Sequence, residues 1–511
     1  MLTAIILFAA TYVLMLTFSK YRPYFALASG ALFILLGMLP VNEILPALDF
    51  NVLLMIGGTM GLVQLFIDSH MPERMADMIM DKVPNVQIAA VALSLFAGII
   101  SAFVDNVATV LMVAPVAIEI CKKLKTNPVP FIISIAVSSN LQGAATLVGD
   151  TTAIMLGSAL DMSFLDFIWY QGKPGMFFMV ELGACLSACI VYFTFRKEKG
   201  AIPKSGKMTE VTDYVPTVLL FGAIALLIVA SFLPFEMPAE TNGLICCSLL
   251  VIGLIYNYAK NKNLDAVMGP LKAIDFETLG LLVGLFLMIG GISHEGVIDA
   301  LAQLLAKLGA GNPFLMYTII VWASVLISAF IDNIPYVATM IPVIAGIAAE
   351  MGIDSTALYF GLLSGATLGG NCTPIGASAN ITGIGILRKE GHEVSNGDFF
   401  KIGIPFTLSA IIPAYILIWF SSAKPASHAP PFREGHFFVA ISGYCPGGLP
   451  MVPHREIAGD SHVASLLGMT YPRNDFMSPS LSTNPSAFVY PYRRISENCK
   501  MSSSIYPPFN G

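Results

Sequence analysis

The chain has 511 residues, 56% of them apolar and only 12% charged, with a mean hydropathy of +0.75. Soluble domains carry about twice that charge, so composition excludes an ordinary soluble protein and points to an all-α polytopic membrane protein, whose helices need roughly 20 apolar residues to cross a hydrocarbon core of about 30 Å. The net charge of −6 is spread through loops, and no basic domain or stripe is present to hold nucleic acid.

In chain order, the first apolar run, Leu2 to Phe18, has no basic segment before it and no small-residue cleavage site after it. Lys20, Arg22 and a second apolar run follow at once, so it reads as a membrane helix and not a signal peptide. The expected spans are 2–18, 23–40, 50–68, 129–160 (broken), 174–195, 215–234, 240–258, 275–293, 354–388 (broken) and 399–421. Two further apolar stretches, 86–120 and 312–348, are each interrupted midway by an Asp-Asn pair, Asp105-Asn106 in SAFVDN and Asp332-Asn333 in SAFIDN. Short amphipathic segments near 71–82 and 297–308 precede them. Residues 422–511 hold twelve prolines and four of the seven histidines without any amphipathic period, and read as a disordered tail with no assigned role.

An internal repeat organises the rest. At an offset of 227, Ser101–Pro115 and Ser328–Pro342 agree at seven of fifteen positions, and Gly143, Thr146 and Gly149 of GAATLVG fall on Gly370, Thr373 and Gly376 of GNCTPIG. The reading is a first repeat at 1–200 with hairpin 86–120, a cytoplasmic linker at 201–214, and a second repeat at 215–421 with hairpin 312–348, the basic loop RKEKGAIPKSGK joining the halves. If each hairpin is re-entrant, each half has five crossings, an odd number, and the second half is upside down. The loop charges agree, because cytoplasmic loops hold the excess of bases: up to residue 421, only Lys173 and Lys307 fall in loops assigned to the outside.

Irregular backbone at membrane depth survives only where it is packed in protein or lines a cavity. Its free helix ends can hold ions and substrates, and matched breaks in two halves point to a midplane site. Asp105 and Asp332 would each cost roughly 2.5–3.5 kcal/mol at the bilayer centre. Holding a cation, Na+ or H+, together with Asn106 and Asn333 would account for them; capping the second hairpin arm is the structural alternative, and both can hold at once. Thr146 and Thr373 add hydroxyls of the kind an oxygen shell needs, with plain helix-end capping as their structural alternative, beside the backbone glycines Gly143, Gly149, Gly370 and Gly376. The two sites are not equivalent: Asp150 faces Ala377 in the repeat, Asn371 faces Ala144, and Asn380 faces Ala153. Glu181 is a weaker candidate for a proton relay. Glu119 and His294-Glu295 read as interfacial, Pro115 and Pro342 as kinks, and the cysteines, Cys372 included, follow no zinc spacing.

The stretches SAFVDN, SAFIDN, GAATLVGD and GGNCTPIGASAN resemble the signatures of the arsenite-efflux and sodium–proton antiporter permeases (ArsB/NhaD type) of the ion transporter superfamily, with its citrate-transporter-like domain. The resemblance covers residues 20–421. It implies two inverted repeats, a site between the hairpin tips and the unwound segments Gly143 to Asp150 and Gly370 to Asn380, elevator-like alternating access, a bacterial-type inner membrane location and a homodimer. One departure is Ala153, where the family has Asn. Sodium-coupled dicarboxylate carriers of the same superfamily carry Ser-Asn-Thr at their tips, whereas this chain has carboxylates. Carboxylates favour cations, protons or a neutral solute. The first expectation is therefore a proton- or sodium-driven carrier of a cation or of a small oxyacid such as arsenite, with a sodium-coupled di- or tricarboxylate symporter second. An enzyme is not expected: an intramembrane aspartyl protease would want Gly-x-Gly-Asp, and LVGD has Leu147 in place of the first Gly. A passive channel is a further alternative. No nucleotide-binding loop appears, so the energy source is expected to be an ion gradient, with no other cofactor.

Overall fold

The computed structural model describes residues 1–201, 208–233 and 237–422. Part of the expected linker, 202–207, and the expected tail from 423 onward lie outside the described residues. The first half holds α1 (Leu2–Thr17), α2 (Arg22–Leu35), α3 (Ile44–Ala47), α4 (Phe50–Asp68), α5 (Met71–Met80), α6 (Val86–Ser101), α7 (Asn106–Leu124), α8 (Val129–Gly143), α9 (Thr151–Ala159) and α10 (Met176–Thr194). The second holds α11 (Val215–Ser231), α12 (Thr241–Asn261), α13 (Asp265–Ala273), α14 (Phe276–His294), α15 (Val297–Leu308), α16 (Pro313–Ser328), α17 (Asn333–Met351), α18 (Thr356–Gly369), α19 (Ser378–Lys389) and α20 (Asn396–Ser422). A two-stranded ribbon, β1 (Trp169–Tyr170) with β2 (Lys173–Pro174), links α9 to α10.

The boundaries have local causes. Asp49, Asn85, Asp105, Asp275, Asn312 and Asp332 each precede a helix and accept its free N–H groups. Proline opens α2, α5, α8, α11 and α16, where the missing N–H costs nothing. Gly352 closes α17 in the left-handed conformation that glycine adopts without penalty.

Among the described residues, six helices are long and apolar enough to cross a membrane alone: α4, α10, α12, α14, α17 and α20. The count becomes seven if α15 and α16, bent by 114°, form one span. Five of the six match expected spans and the sixth, α17, is an arm of the expected hairpin 312–348; the other five of the ten expected spans fall short, for a geometric reason. The two broken spans are each split in two, as α8 with α9 and α18 with α19, so no single piece has the required length. At about 1.5 Å per residue, the 16 residues of α1, the 14 of α2 and the 17 of α11 are also short of the hydrocarbon thickness. The expected run 23–40 ends early because Leu36 leaves the helix and Gly37 takes φ +71°.

The described helices pack in pairs. Membrane helices lack a hydrophobic drive between them and approach through small residues. A methyl on Gly284 of α14 would sit 2.3 Å from the Ala26 backbone of α2, and one on Gly58 of α4 would sit 2.8 Å from Cys246 of α12.

Contacts at the helix ends fix how the interrupted stretches run. At the linker end of the bundle, the Val86 N–H at the start of α6 donates to Gly200 O at 3.0 Å. There too Phe131 of α8 packs on Phe195, just past α10, with ring centroids 4.6 Å apart. Because a short loop joins α7 to α8, both arms of the α6–α7 stretch begin and finish at this end. Lys122, in the last turn of α7, also meets Glu390 after α19 at 2.5 Å. At the opposite end, the Tyr317 hydroxyl of α16 donates to Tyr415 O of α20 at 2.8 Å, and Phe314 packs on Trp419 at 4.9 Å. Phe360 of α18, which follows α17 by a short loop, lies 5.5 Å from Tyr170 of the ribbon. Both arms of the α16–α17 stretch therefore return to this second end.

Candidate functional site

The two Asp-Asn pairs sit at the turns between α6 and α7 and between α16 and α17. Each turn is fastened to a helix break by the same bonds, 227 residues apart. The Thr146 hydroxyl donates to Ala102 O and accepts from Val148 N; the Thr373 hydroxyl donates to Ala329 O and accepts from Ile375 N. Gly149 and Gly376 make the contact close: a Cβ on Gly149 would lie 2.7 Å from Ser101 O, and one on Gly376 2.8 Å from Ala329 O. Gly143 and Gly370 form the far walls of the same two breaks, their carbonyls 2.6 Å from where those methyls would stand.

Side-chain amides then tie the halves together. Asn106 Nδ2 donates to Asn140 Oδ1 at 3.1 Å, and Asn140 Nδ2 donates to Thr367 O at 2.7 Å and to Asn371 Oδ1 at 3.0 Å. Asn371 Nδ2 donates in turn to Val137 O at 2.9 Å. Asn380 Nδ2 holds the second break by donating to Gly370 O and Thr373 O, both at 3.0 Å. Every one of these amides is buried. In water-free surroundings an unmade bond costs the desolvation of the group, about 1–3 kcal/mol, so the network holds both breaks open as defined structure.

The three aspartates differ in what they do. Asp105 Oδ2 accepts from Val107 N at 3.0 Å and Ala108 N at 3.2 Å, while its Oδ1 takes no hydrogen bond among the described residues. Asp332 is fully engaged: Oδ1 accepts from Ile334 N at 3.2 Å, and Oδ2 meets Arg22 Nη1 at 2.9 Å and the Ser378 hydroxyl at 3.4 Å. Asp150 precedes α9 but does not cap it. Its Oδ2 accepts from the Thr152 hydroxyl at 2.6 Å and, at 3.5 Å, from Asn333 Nδ2 across the halves. Asp150 is only 4% exposed.

Asp105, Asn106, Asp150, Asn333 and Ser378 line one cavity of about 210 Å³, bounded further by Gln64 and Met60 of α4 and by Asp275 and Thr278 at the start of α14. The structure thus brings Asp105, Asn106, Asp150 and Asn333 to one space. Asp332 stands beside it against Arg22. Thr146, Thr373, Asn371 and Asn380 lie behind it and face the backbone, so their hydroxyls and amides serve the architecture of the breaks. The capping that the sequence offered as a structural alternative is present at both tips, and at Asp105 it leaves one carboxylate oxygen over. Away from the cavity, Glu181 accepts from Gln142 Nε2 at 2.9 Å, Glu119 pairs with Lys123, and His294 meets Glu43.

Sequence reasoning missed Asn140, Thr152, Ser378 and Arg22. Asn140 lies in the run SIAVSSNLQG, where polar residues alone could have flagged it. Arg22 reads as a loop base, and only the folded chain brings it to a residue 310 positions away.

Comparison with known proteins accords with this architecture. A model of the citrate transporter family (CitMHS) matches residues 12–365 and 267–489. The uncharacterized transporter Rv2685 of Mycobacterium tuberculosis is 28% identical over 423 residues, covering 81% of this chain and 97% of the relative. The 46 kDa membrane protein of Mycobacterium leprae is 33% identical over 322 residues, covering 62% and 74%. The human P protein is 27% identical over 460 residues, covering 74% of this chain and 54% of that protein. Among solved structures, the Alcanivorax borkumensis YdaH transporter shares the fold, with a TM-score of 0.51 at 14% identity over 73% of this chain and 85% of that one. With the family model spanning more than half of the sequence and the helices long enough to cross a bilayer, the chain belongs to the citrate transporter family and is an integral, multi-pass secondary transporter of the membrane.

Proposed function

We propose that the chain is an ion-gradient-driven carrier that binds a small cation, Na+ or H+, between the two hairpin tips, and exchanges it for another cation or couples it to a small oxyacid such as arsenite. The observation that carries this reading is the cavity between the tips, which holds two carboxylates, Asp105 and Asp150, and has Asp275 at its edge. Among the described residues, the one base bonded to a tip, Arg22, engages Asp332 outside the cavity lining. A concave site lined by one sign of charge concentrates the opposite ion, and intramembrane carboxylates mark ion paths. Asp105 Oδ1, the Asp150 carboxylate and the amide oxygens of Asn106 and Asn333 are hard donors of the kind Na+ takes.

The reading includes two inverted halves, 1–200 and 215–421. Its support is that the first hairpin returns to the linker end, the second to the opposite end, and the tips still converge on one cavity. A carrier built this way can expose the same tips to either side in turn.

A second reading, transport of citrate or a similar carboxylate, is favoured by the family's description. The acidic lining then requires that the anion arrive with a cation that shields it. The experiment is sodium-driven proton movement in proteoliposomes holding a pH dye, compared for the wild type, Asp105→Asn and Asp150→Asn, with citrate and arsenite as further additions. Coupled flux in the wild type that falls at least about a hundredfold in both variants is expected, on the scale of losing a buried charge from its site. Both folded variants transporting at the wild-type rate would sink the assignment.

A further inference from the structure

We propose that Arg22 is a built-in counter-cation for the second hairpin tip: its guanidinium occupies the Asp332 carboxylate in the conformation seen, and it must leave before a transported cation can take that carboxylate. The proposal rests on the reading of the tips as a cation site and assigns to it a residue on a different part of the fold.

The pair has three features that a chance contact lacks. Arg22 Nη1 lies 2.9 Å from Asp332 Oδ2, and the two side chains are 20% and 12% exposed, so the bond is largely shielded from solvent. Arg22 is also the first residue of α2. The positive end of a helix dipole disfavours a cation there, so the base is not explained by its own helix. A second tether joins the same elements: the Tyr12 hydroxyl of α1 donates to Pro335 O of α17 at 2.7 Å and also meets Thr339. Together they clamp the α1–α2 corner onto the tip that carries Asp332.

The clamp spans two groups of helices that alternating access must separate. α2 packs along α14 through Gly284 and Gly30, whereas the Asp332 tip is fastened to the α18–α19 break through Thr373 and Ser378. Sliding one group past the other pulls Arg22 from Asp332. Leaving so shielded a carboxylate without a partner is strongly unfavourable, so a mobile cation must replace the guanidinium. Arginine suits this role because it stays charged at all working pH values; it competes with the cargo without itself taking or losing a proton. The device is single-sided: the repeat position of Arg22 is Leu249, and Asp105 keeps an oxygen open to the cavity. The first tip is then the site that is ready in this conformation, and the second is the one held shut.

Two readouts on the full-length chain test this. The first is alkylation of a cysteine at Met60, which lines the cavity, by a membrane-impermeant maleimide without added sodium, scored above labelling of the parent chain. Arg22→Gln should slow labelling about tenfold, because it removes a bond that holds the cavity-open state, and Arg22→Lys should restore most of the rate. The second is the sodium concentration giving half of the sodium-dependent rise in Tm. Arg22→Gln should lower it about tenfold, and in an Asp332→Asn background the change at residue 22 should have no effect. Unchanged labelling in Arg22→Gln overturns the proposal whatever sodium does. Slowed labelling in a protein that shows no sodium response upholds the clamp and sinks the sodium site instead.

Discussion

Gly149 and Gly376 are the residues on which the tips depend most directly. Each lets a broken helix press its backbone onto the carbonyls of a hairpin turn, and a methyl at Gly149 would meet three carbonyl oxygens within 2.8 Å. Overpacking of rigid backbone costs about 1–3 kcal/mol or more, so Gly149→Ala and Gly376→Ala should each lower Tm in detergent and reduce transport. Gly385 in α19 has open space where its Cβ would stand. Gly385→Ala should leave Tm unchanged or raise it, by about 0.4–1 kcal/mol in stability; equal losses at all three positions would contradict the geometric explanation. The residue scale is also where sequence reading was least complete. Aspartates and glycines stand out against an apolar background, but Thr146 and Thr373 looked like ion ligands because a hydroxyl beside a break can face either a cavity or a carbonyl. Only the packed turn decides that they bond to Ala102 O and Ala329 O.

The elements show how one design supports two unlike breaks. In the second half, Asn380 holds the break by itself, bonding Gly370 O and Thr373 O. In the first half Ala153 stands at that position; there Asn140 and Thr152 both reach across to Thr367, and the Thr152 hydroxyl also donates to Asp150 beside it. Asn380→Ala should therefore cost about 1–3 kcal/mol by leaving two buried carbonyls unpaired, whereas Ala153→Asn puts a larger side chain into a fully buried site and should also destabilise by overpacking. Thermal melts of both variants check this; a stable Ala153→Asn would mean that the first break has room for the missing amide. The existence of the breaks was legible, since charges and glycines interrupt apolar runs that are otherwise continuous. The lengths of α1 and α2 were not, because hydropathy does not register that Leu36 to Leu48 turns back with polar and proline residues among apolar ones. Hydropathy alone would likewise count α17 as a free-standing span, although its neighbours tie it into a turn with α16.

At the scale of the molecule, a sequence pattern coincides with a spatial one. The offset of 227 was readable from identical letters, and the same offset recurs in hydrogen bonds and close glycine contacts. Membrane character and transporter class followed from composition and from the motifs, and the family assignment agrees. Contacts such as Arg22 with Asp332, or Asn140 with Asn371, were beyond reach because they join helices far apart in sequence that no local rule pairs. The claim on which the rest depends is that the two hairpins enter from opposite sides and meet at the acidic cavity. The direct measurement is sided alkylation of single cysteines at the two hairpin bases, Lys123→Cys after the first and Glu350→Cys after the second, both at exposed positions, with an impermeant maleimide added to intact cells and to inside-out vesicles. The account predicts labelling of the first only from the cytoplasmic side and of the second only from the outside. Labelling of both from the same side would contradict it.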